Sequence, residues 1–319
     1  MTEHRFLVLI AVCAVALLAG GWLLPSWSFV INVAIAKAIA VLGLVLLMRA
    51  GLVSFGQALF YCIGGYTAGV LATNYKISEA LIVVPLAGVL AGVVGFLLGF
   101  LMRRYRDIFF AMLSLAFSMI LFGVLVKSAD FGGTDGFNIT APTLFGMRIT
   151  GQARFFGYAF AVVLLALSVI AAWRFTRTPV GMIADAIREN EIRVEYLGVS
   201  ATRSIHVLYT LAALLAGIGG ALNALTVGHV DPEMAFWTTS GEFVVIAVLG
   251  GAASLVTPIA AALILEVIRT FAYQYAPNAW QLVLGVVTLA LIVFLPTGFA
   301  GLLRRRREVS NRSAADAVN

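Results

Sequence analysis

The chain alternates long apolar runs with short polar breaks, and its charges collect in the breaks. Residues 6–24, 29–48, 51–73, 80–102, 109–126 and 156–173 are predominantly apolar. Each is long enough to cross a hydrocarbon layer of ~30 Å as a helix. A further run, 205–227, is followed by two short pieces, 241–253 and 259–273, and by a closing run, 279–294. The pattern predicts an all-α polytopic membrane protein with about ten transmembrane helices. Eight is the count if the two short pieces do not each cross. The first run reads as a retained span rather than a cleaved signal peptide, because further spans follow at once.

Composition agrees with that architecture. Apolar residues make up 62% of the 319, charged residues 11%, and the mean hydropathy is +1.03. A soluble domain of this length has no use for so much apolar surface. Arginine dominates the net charge of +6, with Lys37, Lys76 and Lys127 the only lysines. In a membrane protein such an excess reports topology rather than a nucleic-acid partner. The loops and ends gather Arg5, Arg49, Arg103, Arg104, Arg106, Arg174, Arg177, Arg188, Arg193, Arg203, Arg304 to Arg307 and Arg312 on one side. Lys76, Lys127, Arg148 and Arg154 fall on the other. The arginine-rich side is therefore expected to be cytoplasmic, with both termini there. The polar stretch 128–155 is expected outside as a periplasmic loop, and 304–319 inside as a basic, polar tail.

One break differs from the rest. Residues 177–203 read RTPVGMIADAIRENEIRVEYLGVSATR, with four arginines against four carboxylates. Thr178-Pro179 is a helix start, a capping hydroxyl followed by proline at the first helical position. Val180, Ile183 and Ile187 recur at helical spacing and give one apolar face. Glu189 and Arg193 stand at i, i+4 in the favourable order. Ile192 and Tyr196 form a second apolar pair, and Gly198 sits where helices commonly stop. Two short helices at a membrane surface are expected. A segment held only by anionic lipid would be more one-sidedly basic, so the balanced charge suits a protein partner.

Within the spans, few groups are polar. Lys37 lies inside the second run, where it either serves function directly or pairs with a neighbouring carboxylate. The third run carries Ser54 and Gln57 among Gly51, Gly56, Gly64, Gly65 and Gly69. Such a span is either packed tightly through small residues or locally unwound beside a cavity. Glu266 and Arg269, at i, i+3, are expected to pair with each other. Cys13 and Cys62 lie in apolar runs and the three histidines are scattered, which excludes a disulfide framework and a metal cluster. GGTDG at 132–136 has neither a preceding strand nor a following lysine, so a turn is expected rather than a phosphate cradle. No nucleophile and base converge on one depth, which argues against a membrane-embedded enzyme.

Four stretches, in order, resemble a known family. They are GLVSFGQALFYCIGGYTAG, FFAMLSLAFSMIL followed by GGTDG, AIRENEIRVEYLGV, and VLGGAASLVTP with LPTGFAGL. Together they are similar to the permease subunits of high-affinity branched-chain amino-acid ABC importers, the M-type subunit above all, over residues 41–305. The resemblance implies a single permease domain, 1–319, in a bacterial inner membrane. Its implied partners are two ABC ATPase subunits, a second homologous permease subunit and a periplasmic substrate-binding protein. It implies no cofactor of the chain's own, ATP being bound by the partners. This agrees with the absence of GxxxxGK[ST]. Family members also carry urea, short amides and organic acids.

The same resemblance gives 177–203 an ATPase-coupling role, with Ala186, Ile187, Arg188, Glu189, Asn190 and Gly198 as contacts. The chain departs from the general importer pattern, an alanine pair after a glutamate, by reading Glu191-Ile192-Arg193-Val194. Spans two to five and seven to ten run in opposite senses, compatible with an inverted repeat. Lys37, Ser54, Gln57 and Asn223 are the candidate polar groups of a translocation pathway. Arg148 and Arg154 are candidates for docking a binding protein. A self-sufficient secondary transporter or channel is the rival reading, with Glu266 as its coupling carboxylate.

Overall fold

A computed structural model describes residues 3–23, 25–149, 154–251 and 254–275, with scattered positions from 277 to 290. The tenth expected span falls largely outside the described residues, as do LPTGFAGL and the basic tail. Ten helices are described: α1 (Glu3–Leu23), α2 (Ser28–Arg49), α3 (Gln57–Thr73), α4 (Ala80–Met102), α5 (Asp107–Lys127), α6 (Arg154–Thr176), α7 (Pro179–Tyr196), α8 (Ala201–Val227), α9 (Trp237–Gly250) and α10 (Thr257–Tyr275). Among the described residues, five helical stretches are long and apolar enough to cross a membrane: Pro25–Arg49, Ala80–Met102, Asp107–Lys127, Phe155–Thr176 and Ala201–Val227. The chain is a polytopic membrane protein.

Its core is the pair α2 and α8. α8 packs against α2, α3 and α4, while α10 and α6 lie on other sides of α2. Lipid supplies no hydrophobic drive between helices, so close backbone approach has to hold them. Glycine permits that approach. A Cβ at Gly64 would run into the backbone of Gly217, and one at Gly220 into the carbonyl of Tyr61. The glycines of the third run thus serve packing from 57 onward. Before that point the run is not helical at all: residues 52–56 form an irregular stretch between Gly51, at φ +79°, and the start of α3.

Small strands fix the loops at one end. In that loop, β1 (Phe137–Asn138) pairs antiparallel with β4 (His229–Val230), just beyond α8. β2 (Thr143–Leu144) and β3 (Met147–Arg148) make a hairpin. Glu79, ahead of α4, accepts hydrogen bonds from Thr143 Oγ1 at 2.8 Å, from the Phe145 amide at 2.5 Å and from the Gly146 amide at 3.2 Å. The loops after α3, α5 and α8 therefore meet in one cap.

α9 and α10 form a hairpin against α2. α9 has 14 residues, so it rises about 21 Å, short of the ~30 Å of a hydrocarbon core. Its polar contacts, not its length, anchor it.

Candidate functional site

α7 stands at the end of the bundle opposite the strand cap. Thr178 caps it as its residues predict: Oγ1 accepts from the Gly181 amide at 3.3 Å and donates to the Phe175 carbonyl at 2.7 Å. At Asn190 the helix breaks, with φ −163° and ψ 99°. The Asn190 side-chain oxygen accepts from the Arg193 amide at 2.9 Å and so begins the second half. Gly198, at φ +82°, closes it with its amide on the Glu195 carbonyl at 2.9 Å.

The break re-phases the faces. Ala184 and Ile187 are buried in the first half and Val194 in the second. Ile192 and Tyr196, the second apolar pair of the segment, are 66% and 86% exposed, and Leu197 is 79% exposed. The kink at Asn190 divides the segment into two helical halves, as its residues predict. Ala186, Arg188, Glu189, Asn190 and Gly198 all face outward, and Ile187 anchors them.

Among the described residues, ion pairs of Asp185 and Glu191 tie α7 to the bundle. Asp185 accepts from Arg49, the last residue of α2, with Nε at 3.0 Å and Nη2 closing a fork. Glu191 accepts a second fork from Arg106, at 2.8 and 2.6 Å. The side chain of Arg188 lies against Gly51 at the α2–α3 corner.

A second polar constellation is sunk among α2, α9 and α10. Lys37 Nζ lies 2.7 Å from Glu242 Oε1 and 2.7 Å from Glu266 Oε2. Arg269 Nη1 donates to both oxygens of Glu242, at 3.2 and 3.0 Å. The expected Glu266–Arg269 pair is thus corrected to a four-residue network in which Lys37 takes Glu266 and Arg269 reaches Glu242. Two positive and two negative groups balance, which an apolar medium demands. Tyr61, whose hydroxyl has no hydrogen-bond partner among the described residues, packs edge-on against Phe243 beside the network.

The other candidates scatter. Gln57 is wholly buried; its Nε2 donates to the carbonyls of Ala40, at 3.1 Å, and Ala212, at 2.9 Å, pinning α3 between α2 and α8. Ser54, also wholly buried, accepts from the Gly56 amide at 3.2 Å. Asn223 is half-buried on α8, and Arg148 is exposed in the β2–β3 hairpin. Arg154 is the first residue of α6. The structure brings together Lys37 and Glu266, not Lys37 and Asn223.

Glu242 escaped notice in the sequence, although a lone carboxylate one turn into an apolar stretch is a usable signal. Ser114, Ser118 and Ser240 did too. The Phe55 amide donates to Ser114 Oγ at 3.1 Å, Ser118 Oγ to the Ala235 carbonyl at 2.7 Å, and the Ala58 amide to Ser240 Oγ at 3.1 Å. An apolar cavity of 330 Å³ between α1, α6 and α10, lined by Cys13, Leu17, Leu165 and Ile259 among others, offers only the Cys13 thiol as a polar side-chain group among the described residues.

A kinked, charged helix between apolar spans and a balanced buried network together suit a transport subunit. The family model for "branched-chain amino acid transport system / permease component" matches residues 26–293. The chain belongs to that family.

Individual members are similar over most of its length. The high-affinity branched-chain amino acid transport system permease protein LivM of Escherichia coli is 31% identical over 344 aligned positions, covering 98% of this chain and 78% of that protein. LivM of Salmonella typhimurium is 30% identical over 287, covering 83% and 67%. The permease protein LivH of Escherichia coli is 24% identical over 270, covering 79% and 86%. No solved structure matches the chain. As a permease component, the chain has a transport role rather than an enzymatic one.

Proposed function

We propose that this permease is the membrane-spanning subunit of an ATP-binding-cassette importer for branched-chain or related hydrophobic amino acids. It receives substrate from a periplasmic binding protein and works in a bacterial inner membrane with both termini cytoplasmic. Two partner ATPases supply the energy and a second permease subunit completes the pathway. Alternating access follows when closure of the ATPases moves α7. The observation that carries this reading is α7 itself. It is a capped, mixed-charge helix between spans α6 and α8, with Arg188, Glu189, Ile192, Tyr196 and Leu197 all exposed.

Substrate passes along the face shared with the second permease, where an amphiphilic amino acid meets apolar walls and few polar atoms. The rival, a self-sufficient secondary transporter, would need a carboxylate free to take up a coupling ion. Lys37 already engages Glu266 at 2.7 Å, so that reading is weaker.

Reconstituted uptake with all components tests the proposal, comparing wild type with Glu189→Arg. Loss of uptake together with loss of ATPase association, in a folded permease, supports it. Transport by the permease alone, unaffected by Glu189→Arg, would install the rival instead.

A further inference from the structure

The two halves of α7 hold different parts of the bundle. The first half, through Asp185, grips the end of α2, whose span is 83% buried, the most of the five candidate spans among the described residues. The second half, through Glu191, grips the corner between α4 and α5. The backbone break at Asn190 lies between the two grips.

Arg106 is committed on both sides. Its Nη1 donates to the carbonyls of Arg103 at 2.6 Å and Tyr105 at 2.8 Å, within its own corner. Its Nε and Nη2 are given to Glu191. A planar fork held this way transmits displacement better than a single flexible contact. The next residue, Asp107, takes φ +50° and opens α5 directly.

Of the five candidate spans among the described residues α5 is the least buried, with 22% of its apolar window inside the protein against 72% in α8. Its inward face packs Phe110 edge-on against Tyr209 and Phe122 against Phe236, and between these two aromatics it carries two buried serines. Ser114 accepts from Phe55 in the irregular stretch 52–56, and Ser118 donates to Ala235 at the far end. A shift of α5 therefore reaches both the unwound entry to α3 and the opposite face of the protein.

We propose that the Glu191–Arg106 pair links the second half of α7 to α5. These two positioning residues then determine how much of the partner's ATP hydrolysis is converted into transport. The inference rests on α7 being the ATPase-coupling segment.

The test uses the complete reconstituted importer and compares wild type, Glu191→Gln, Arg106→Lys and the charge exchange Glu191→Arg with Arg106→Glu. Arg106→Lys keeps the charge and favours folding but loses the fork. ATPase co-purification, hydrolysis rate and uptake are read on the same monodisperse samples. Both single variants are expected to keep the ATPases bound and hydrolysing, while uptake per ATP falls at least about fivefold, the lower end of ordinary coupling. The exchange restores a substantial part of it. A purely structural fastening would lower the yield of folded protein and leave uptake per ATP untouched, and that result overturns the inference while α7 docking stands. Failure of the ATPases to bind wild type, or wild-type docking by Glu189→Arg, removes the underlying reading and the inference with it.

Discussion

Lys37 on α2 donates to Glu266 on α10 at 2.7 Å, across 229 residues of sequence. This contact, extended by Glu242 and Arg269, ties the short α9–α10 hairpin to the central helix.

Removing the cation alone should be costly. Lys37→Met leaves two carboxylates with one guanidinium in a low-dielectric site, and breaking a buried pair costs about 3–5 kcal/mol. The thermal midpoint in detergent should fall well below wild type. Lys37→Met combined with Glu266→Met keeps the Glu242–Arg269 pair and restores charge balance, so most of the loss should be recovered. A double variant no better than the single would show that the network's worth lies elsewhere.

The α3–α8 crossing should tolerate no side chain. Gly64→Val places a branched Cβ on the backbone of Gly217, and overpacking of this kind costs about 1–3 kcal/mol. Gly123→Ala on α5, where a Cβ meets nothing within 4 Å, should shift stability by no more than ~1 kcal/mol. Resistance to unfolding in denaturing detergent ranks the two.

The strand cap should loosen in acid. Partial desolvation pushes the Glu79 carboxyl up, but hydrogen bonds from Thr143, Gly146 and Phe145 outweigh it and hold the group below the usual carboxylate range. A depressed folded value means a contribution fully present above the unfolded value of about 4.3, and lost as pH falls through the folded one. Amide exchange in the β2–β3 hairpin should therefore quicken, relative to its intrinsic rate, as the pH drops below about 4. Glu79→Gln should show weaker protection at neutral pH and little of that dependence.

Sidedness is open to labelling. In a chain with Cys13 and Cys62 replaced by alanine, Tyr196→Cys should react with an impermeant thiol reagent only from the cytoplasmic face. Met147→Cys should react only from the periplasmic face. The reverse pattern would invert the proposed orientation.

Much of α7 was legible in the linear sequence. Thr178-Pro179 and Gly198 are local chemistry, acting on backbone groups within a few residues, and the helix begins and ends where they stand. The apolar runs likewise announce their spans, since hydrocarbon thickness alone sets how many residues a crossing needs. The inward face of the second half was not legible. The division into two short helices is legible, but the apolar pair Ile192 and Tyr196 does not state which way it faces, and the fold leaves both exposed while Val194 turns inward.

By itself, the sequence determined a polytopic membrane permease with a charged helix standing outside its spans. Only the tertiary structure decided what the few polar residues do. Lys37, Glu242, Glu266 and Arg269 acquire meaning as a neutral set because folding brings three helices together at one depth. Gln57 becomes a staple because α2 and α8 pass close enough to offer it carbonyls. Arg106 becomes a link because α7 breaks beside it. Hydropathy and capping act along the chain over a few residues, whereas charge pairing in an apolar medium depends on distances through space that no local pattern records.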